Sequence, residues 1–286
     1  MSTIGNSTND RRPVLLIAVG RQRCGKTVFL NTTVQFVRAH GGNMVMWNAD
    51  TMNRTHSLSL FHSDVLEPGS ADPEDVKAWL EERFIDMVEK QYDALLDVGG
   101  GDTPLARLVD EVPIVSELEE RGVRVVLVHL IGPERADLDY LERFLTESRL
   151  APEATILVLN KGLVLSGRSD GVAFAEVRRH PAFLEAVGGG AVVATLPRLP
   201  CMSQVTDRGL TFLEAMTGIV KPGQAPMSFF DQSRVKNWWS RELPGFFLER
   251  IPPLWLPDMP ALRAEVVQEK EARSRQRKAE AQSAEG

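Results

Sequence analysis

A chain of 286 residues, 43% hydrophobic and 25% charged with a formal net charge of −6, has the balance of an ordinary globular protein, long enough for one large α/β domain and an appendage. The slight acidity excludes a global attraction to nucleic acid or to an anionic membrane, so such contacts would need a local basic patch or a partner. Its two cysteines, Cys24 and Cys201, cannot build a disulfide framework and stand in no Cys-x-x-Cys zinc spacing, which fits a reducing cytoplasm.

Residues 1–12 are polar and read as a flexible N-terminus. The apolar run 14–19 is too short for a signal-peptide core or a membrane span, and no stretch of about 18 uninterrupted apolar residues follows, so no stable membrane insertion is expected. Apolar runs at 13–19, 43–48, 94–98, 123–131, 154–160 and 191–196 are rich in Val, Leu and Ile without alternation, as in strands buried on both faces. Helical periods fall between and after them at 26–39, 73–90, 103–120, 134–149 and 205–217, with Asp72-Pro73 as an N-terminal start for the second. This alternation predicts a three-layer α/β domain over 13–220, a mostly parallel sheet flanked by helices.

The segment 51–69 has no strong period and reads as a functional loop. From 221 to 260, Phe229, Phe230, Trp238, Trp239, Phe246, Phe247 and Trp255 crowd among prolines, an extension expected to pack back on the domain as extra core or to form a docking surface. Residues 261–286 form a charged tail, helical or disordered, whose Arg273, Arg275, Arg277 and Lys278 are diluted by glutamates. His56, His62, His129 and His180 form no metal spacing.

One motif carries chemistry. Gly20-Arg21-Gln22-Arg23-Cys24-Gly25-Lys26-Thr27 matches the phosphate-binding loop Gly-x-x-x-x-Gly-Lys-Thr, with an apolar strand before it and an amphipathic helix after it. Gly20 and Gly25 permit backbone angles that turn successive N–H groups, from Arg23 and Cys24 on to Val28, toward phosphate oxygens, and the helix start adds free donors. Lys26 is placed to bridge the β- and γ-phosphates and Thr27 to coordinate Mg²⁺. Asp97, at a strand end before Gly99-Gly100-Gly101-Asp102, suits the metal-side carboxylate, and Asp50, ending the second strand region, suits a residue that orients water or a Mg²⁺-bound water. Guanine-reading relatives of this loop carry Asn-Lys-x-Asp where this chain has Asn160-Lys161-Gly162-Leu163; Leu163 cannot accept a hydrogen bond, so adenine is favoured, with Asn160 at its edge and the chain around Pro197 packing on it. Cys24, within the loop, is a candidate for sensitivity to thiol reagents.

Taken in order from 13 to 217, these residues resemble the ParA/MinD group of deviant-Walker P-loop ATPases. Asp50 falls on the group's hydrolytic Asp and Asn53 on its polar loop, with Asn48 in place of a first Asp; Tyr92-Asp93 resembles the opening of its switch strand. Arg21 stands where the group carries a lysine that reaches across an ATP-sandwich dimer, and Gln22 and Arg23 replace two glycines. Arg21 is thereby a candidate catalytic residue acting in trans, or an added charge at the triphosphate of its own subunit. The resemblance implies a slow Mg²⁺-dependent ATPase that binds ATP and ADP, dimerises on ATP, and serves plasmid partition or conjugative transfer through a protein partner or a DNA-bound complex. Two alternatives stay open: a small-molecule kinase or ligase whose acceptor meets Arg54, His62 and Asp64, and a non-hydrolysing ATP-binding interaction protein.

Overall fold

The computed structural model describes residues 11–50, 57–99, 103–165 and 167–262. Asn53, Arg54, His56, Gly100, Gly101, Asp102, most of the N-terminal segment and the tail from 263 lie outside the described residues.

Six strands form one parallel sheet in the order β2-β3-β1-β4-β5-β6: β1 Val14–Val19, β2 Val45–Asn48, β3 Ala94–Asp97, β4 Arg124–Ile131, β5 Ala154–Asn160 and β6 Val192–Leu196. Each lies where an apolar run predicts it. Ala18 stands opposite Asp97 and Val19 opposite His129, so the residues just beyond β1 and β3 emerge side by side at the carboxyl edge, where open α/β sheets bind ligands.

Helix α1 (Lys26–Ala39) follows β1 directly, and α2 (Pro73–Lys90) opens on Asp72, whose side chain accepts from the Glu74 N–H, with Pro73 in the first turn. The predicted helix 103–120 is two helices, α3 (Thr103–Glu111) and α4 (Ile114–Glu120), because Pro113 has no N–H to continue the ladder. Helix α5 runs Arg135–Glu147. The short α6 (Asp170–Ala173) and α7 (Pro181–Gly188) fill the connection to β6, which the periodicity does not reveal. The predicted helix 205–217 is α8 (Met202–Thr206) and α9 (Phe212–Thr217), divided at Gly209, whose φ is 58°. Helix α10 (Phe229–Asn237) continues into wide π-helical turns, Trp238–Glu242 and Gly245–Glu249.

The alternating residues of β1 divide the interior. Val14, Leu16 and Ala18 face a core shared with α1, α9 and the C-terminal extension; Leu15, Ile17 and Val19 face one shared with α2, α3 and α4. A third cluster lies under α5 and α7. Trp238, Phe246 and Phe247 are buried in the first of these, with Phe247 stacked on Phe36 at 4.4 Å and Phe246 edge-on to Phe29, while Phe229 and Phe230 are exposed. Among the described residues no helix is long and apolar enough to cross a membrane.

Candidate functional site: a phosphate loop over a buried carboxylate

The loop between β1 and α1 is held open by two glycines. Gly20 has φ 147° and Gly25 φ 93°; a Cβ on the first would lie 2.8 Å from the Leu130 carbonyl oxygen, and on the second 2.5 Å from Asn160 Nδ2. Arg23 is exposed and also left-handed, at φ 64°. Lys26 is buried and donates from Nζ to the Gly20 carbonyl at 3.1 Å, so its ammonium lies inside the ring of the loop. Val28 begins the second half of the first helical turn, its carbonyl accepting from Thr32.

Beneath the loop, Thr27 Oγ1 donates to Asp97 Oδ2 at 3.1 Å. Asp97 is buried and its other oxygen, Oδ1, has no hydrogen-bond partner. Burial pushes its carboxyl up to about 7, and the neighbouring Asp50 charge adds to this, while the Thr27 hydrogen bond and the Lys26 charge oppose it. A buried carboxylate oxygen lacking a donor costs free energy unless a cation answers it. Among the described residues no group of three or more His, Cys, Asp or Glu could hold a metal ion. One hydroxyl and one carboxylate, completed by phosphate oxygens and water, is nevertheless the donor set that suits Mg²⁺. Asp50 stands beside them: a Cβ on Gly99 would lie 3.3 Å from Asp50 Oδ1.

Three expected residues have other partners. Arg21 pairs within its own chain, with Glu134 and, from Nε at 3.2 Å, with Asp137. Asp137 is buried at the start of α5, and burial holds its carboxyl above the usual range against the pull of Arg21. Asn160 donates from Nδ2 to the Cys24 carbonyl at 2.9 Å and accepts from the Gly162 N–H, latching the loop to the end of β5. Pro197 accepts at its carbonyl from Trp238 Nε1 at 3.0 Å. Cys24 is fully buried and burial pushes its thiol up to about 11, which corrects the expectation of thiol reactivity.

The described residues 57–69 of the expected functional loop are tied to the end of β2 and to α1. Asn48 Nδ2 donates to Ser57 and Glu67, closing the loop's base. His62 bonds Asn31 at 2.9 Å and Asp64 pairs with Arg38. Arg38 lies eleven residues beyond Thr27 on α1, roughly 16 Å along the helix axis. His62 is nearer, on Asn31, four residues or roughly 6 Å beyond Thr27 along the same axis. Sequence reasoning missed Asp137; the spacing Glu134-x-x-Asp137 at a helix start was its signal.

The chain is similar to several solved structures. FtsY from Elizabethkingia anophelis in complex with GDP is 15% identical over 83% of this chain and 67% of its own, with a TM-score of 0.44. MinD from Pyrococcus horikoshii OT3 complexed with Mg-ADP is 15% identical over 81% of this chain and 97% of its own, at a TM-score of 0.41. FtsY from Mycoplasma mycoides is 18% identical at a TM-score of 0.36, and the match spans 54% of this chain and only 53% of that one, about half its length. A search among curated proteins finds no match. The expected P-loop nucleotide-binding scaffold stands, while the family profile that matches is that of Zeta toxin and not of a ParA or plasmid-partition group. The profile matches residues 2–166, more than half of the 286, and the chain belongs to the Zeta toxin family.

Proposed function

We propose that this protein is a Mg²⁺-dependent phosphotransferase that moves the γ-phosphoryl group of ATP to a hydroxyl of a small molecule. The observation that carries the reading is the Thr27–Asp97 pair, with its unanswered buried oxygen directly under the phosphate loop. In it the backbone from Gly20 to Val28, Arg23, Cys24 and Gly25 included, cradles the phosphates, Lys26 bridges β and γ, and Thr27 and Asp97 hold the metal with Asp50 alongside. Bound Mg²⁺ supplies neutralisation of the charge that develops on the β- and γ-phosphate oxygens. Leu163 supports adenine over guanine, with Asn160 and Pro197 bordering the base. Family membership favours transfer to a substrate, and so does Arg21: two carboxylates of its own chain already engage it, which weakens the case for an arginine reaching a partner subunit.

A second reading, an ATP-driven switch that dimerises for partition or conjugative transfer, is favoured by one proximity: a Cβ on Gly99 would lie 3.3 Å from Asp50 Oδ1, which places the chain after β3 beside the carboxylate after β2, where one γ-phosphate would bear on both. The two are separated by incubating the chain with γ-labelled ATP, Mg²⁺ and a small-molecule cell extract. Label appearing in an organic product supports transfer; label found only as inorganic phosphate, with an ATP-dependent dimer in solution, supports the switch. Lys26→Ala is expected to weaken ATP binding roughly 100-fold by loss of a charge-assisted contact, read by titration with a fluorescent analogue.

A further inference from the structure

A cavity of about 460 Å³ lies between α3 and α5, on the sheet face opposite α1. That volume is in the range of small-molecule sites. Its inner end is formed by Val19, the residue before Gly20, and by Gly99, two residues after Asp97. A Cβ on Gly99 would lie 3.3 Å from Asp50 Oδ1, so the cavity's lining runs up to the phosphate loop and to the neighbourhood of the metal-side carboxylates.

The walls are mostly apolar, with Leu105 and Val109 from α3 facing the Phe144 ring of α5, and Glu147 lines the α5 side one turn beyond Arg143 without pairing with it. At the outer end Arg149 is engaged by Asp110, donating to its carbonyl at 3.1 Å. Arg143 differs: its guanidinium lies 5.9 Å over the Tyr140 ring and has no carboxylate ion pair among the described residues. An aromatic wall, one cation without a carboxylate, and an inner end at the phosphate loop define a ligand class.

We propose that this cavity is the acceptor site, taking a hydroxylated small organic anion whose flat apolar body lies against Phe144 and whose anionic group meets Arg143. The proposal rests on the phosphotransferase reading. With the acceptor hydroxyl at the Gly99 end, its oxygen forms a bond to the γ-phosphorus of ATP as the bond from that phosphorus to the β,γ-bridging oxygen breaks. ADP leaves with the electron pair, and the hydroxyl proton passes to the Asp50 carboxylate and then to water, giving a phosphorylated acceptor, ADP and H⁺.

The test uses 8-anilinonaphthalene-1-sulfonate, a flat organic monoanion, on the full chain loaded with Mg·ADP. One saturable site is expected. Ala106→Trp, which fills the cavity from the exposed side of α3, and Arg143→Ala are each expected to weaken the probe about ten-fold, with melting temperatures reported beside them as a check on folding. Replacing Phe229 and Phe230 by serine, on the opposite sheet face, is expected to leave binding within about two-fold of the unsubstituted chain. Probe binding unchanged by both cavity variants overturns the site, whether or not the chain phosphorylates anything. The probe is further expected to suppress label transfer to an organic product. A probe that occupies the cavity while label transfer proceeds undiminished overturns the acceptor role. If no organic product forms at all, the phosphotransferase reading fails and the acceptor role with it, while the cavity remains a binding site by its own measurement.

Discussion

Two aspartates bracket strand β3, and both are buried: Asp93 just before it and Asp97 at its end. Asp93 is saturated. Its carboxylate accepts from Arg11 at 2.8 Å, from the Val14 N–H at 2.8 Å and from the Asp258 N–H at 2.7 Å, so it ties the N-terminal segment, β1 and the C-terminal extension together at the amino edge of the sheet. Asp97 has one hydroxyl partner and one oxygen with none. The residue type, strand and burial are the same, yet one carboxylate is complete within the fold and the other keeps an oxygen without a partner. In a buried site it is the unmet hydrogen-bonding capacity, rather than burial itself, that separates a functional carboxylate from a structural one.

The largest expected effect breaks the structural member of the pair. Asp93→Ala leaves the Arg11 guanidinium and two backbone N–H groups without their acceptor, and a cost of about 3–5 kcal/mol is expected in denaturant unfolding. ATP affinity of the folded fraction is expected to change little. Asp97→Asn should do the reverse, retaining stability in the absence of ligand and losing the Mg²⁺ dependence of nucleotide binding. Equal destabilisation by the two substitutions would erase the distinction.

The sequence displayed this contrast only in part. Gly20, Gly25, Lys26 and Thr27 are a local pattern whose spacing needs no tertiary knowledge, and the sheet followed from six apolar runs that match the six strands within two residues at either end. Asp97 was legible because a strand end beside glycines is also a local feature. What stayed hidden depends on contacts between distant segments. Arg21 looked free to reach outward because its anchor, Asp137, is 116 residues away. Asn160 looked available to a base because its bond to the Cys24 carbonyl forms only once β5 lies in the sheet. Tyr92-Asp93, read as a family marker, gave no hint that Asp93 is a clamp. The aromatic extension showed its composition but not its sides, with Trp238 and Phe247 inside and Phe229 and Phe230 outside.

His129 sharpens the rule by challenging it. It lies on β4 opposite Val19, fully buried edge-on to Phe144 at 4.8 Å, and neither ring nitrogen has a partner. Unmet capacity alone would class it with Asp97, but no charge or phosphate-loop donor stands against it. Burial pulls its pKa down to about 3, below the unfolded value near 6.5. The unfolded chain therefore binds more protons between those values, so the stability contributed by the neutral ring is present above about pH 6.5 and declines as the pH falls toward 3. The share of His129 between pH 7.5 and pH 5 is expected to be about 2 kcal/mol, and His129→Leu should remove that share with ATP affinity unchanged, while His62, which burial also pulls down to about 4, keeps its own. Acid sensitivity undiminished by that substitution would place the titrating group elsewhere, His62 first.

The smallest effect tests where the two halves of the comparison touch. Trp238 belongs by packing to the saturated half, 5.1 Å from the Phe212 ring, but its Nε1–H is donated to Pro197, at the start of the loop after β6 that the proposed function sets beside the base. Trp238→Phe keeps an aromatic ring in the core and deletes that single donor. The expected loss is about 1 kcal/mol, the net worth of one buried hydrogen bond plus a slightly smaller ring. If Trp238 serves packing alone, thermal unfolding should show the same loss with and without Mg·ATP, because the ligand then stabilises both proteins equally. A loss that grows when Mg·ATP is present would mean that the donor is worth more in the nucleotide-bound chain, and by reciprocity that nucleotide binding tightens the contact between the extension and the loop. Trp238 would then stand with Asp97 rather than with Asp93, and a complete set of hydrogen bonds would no longer suffice to class a residue as structural.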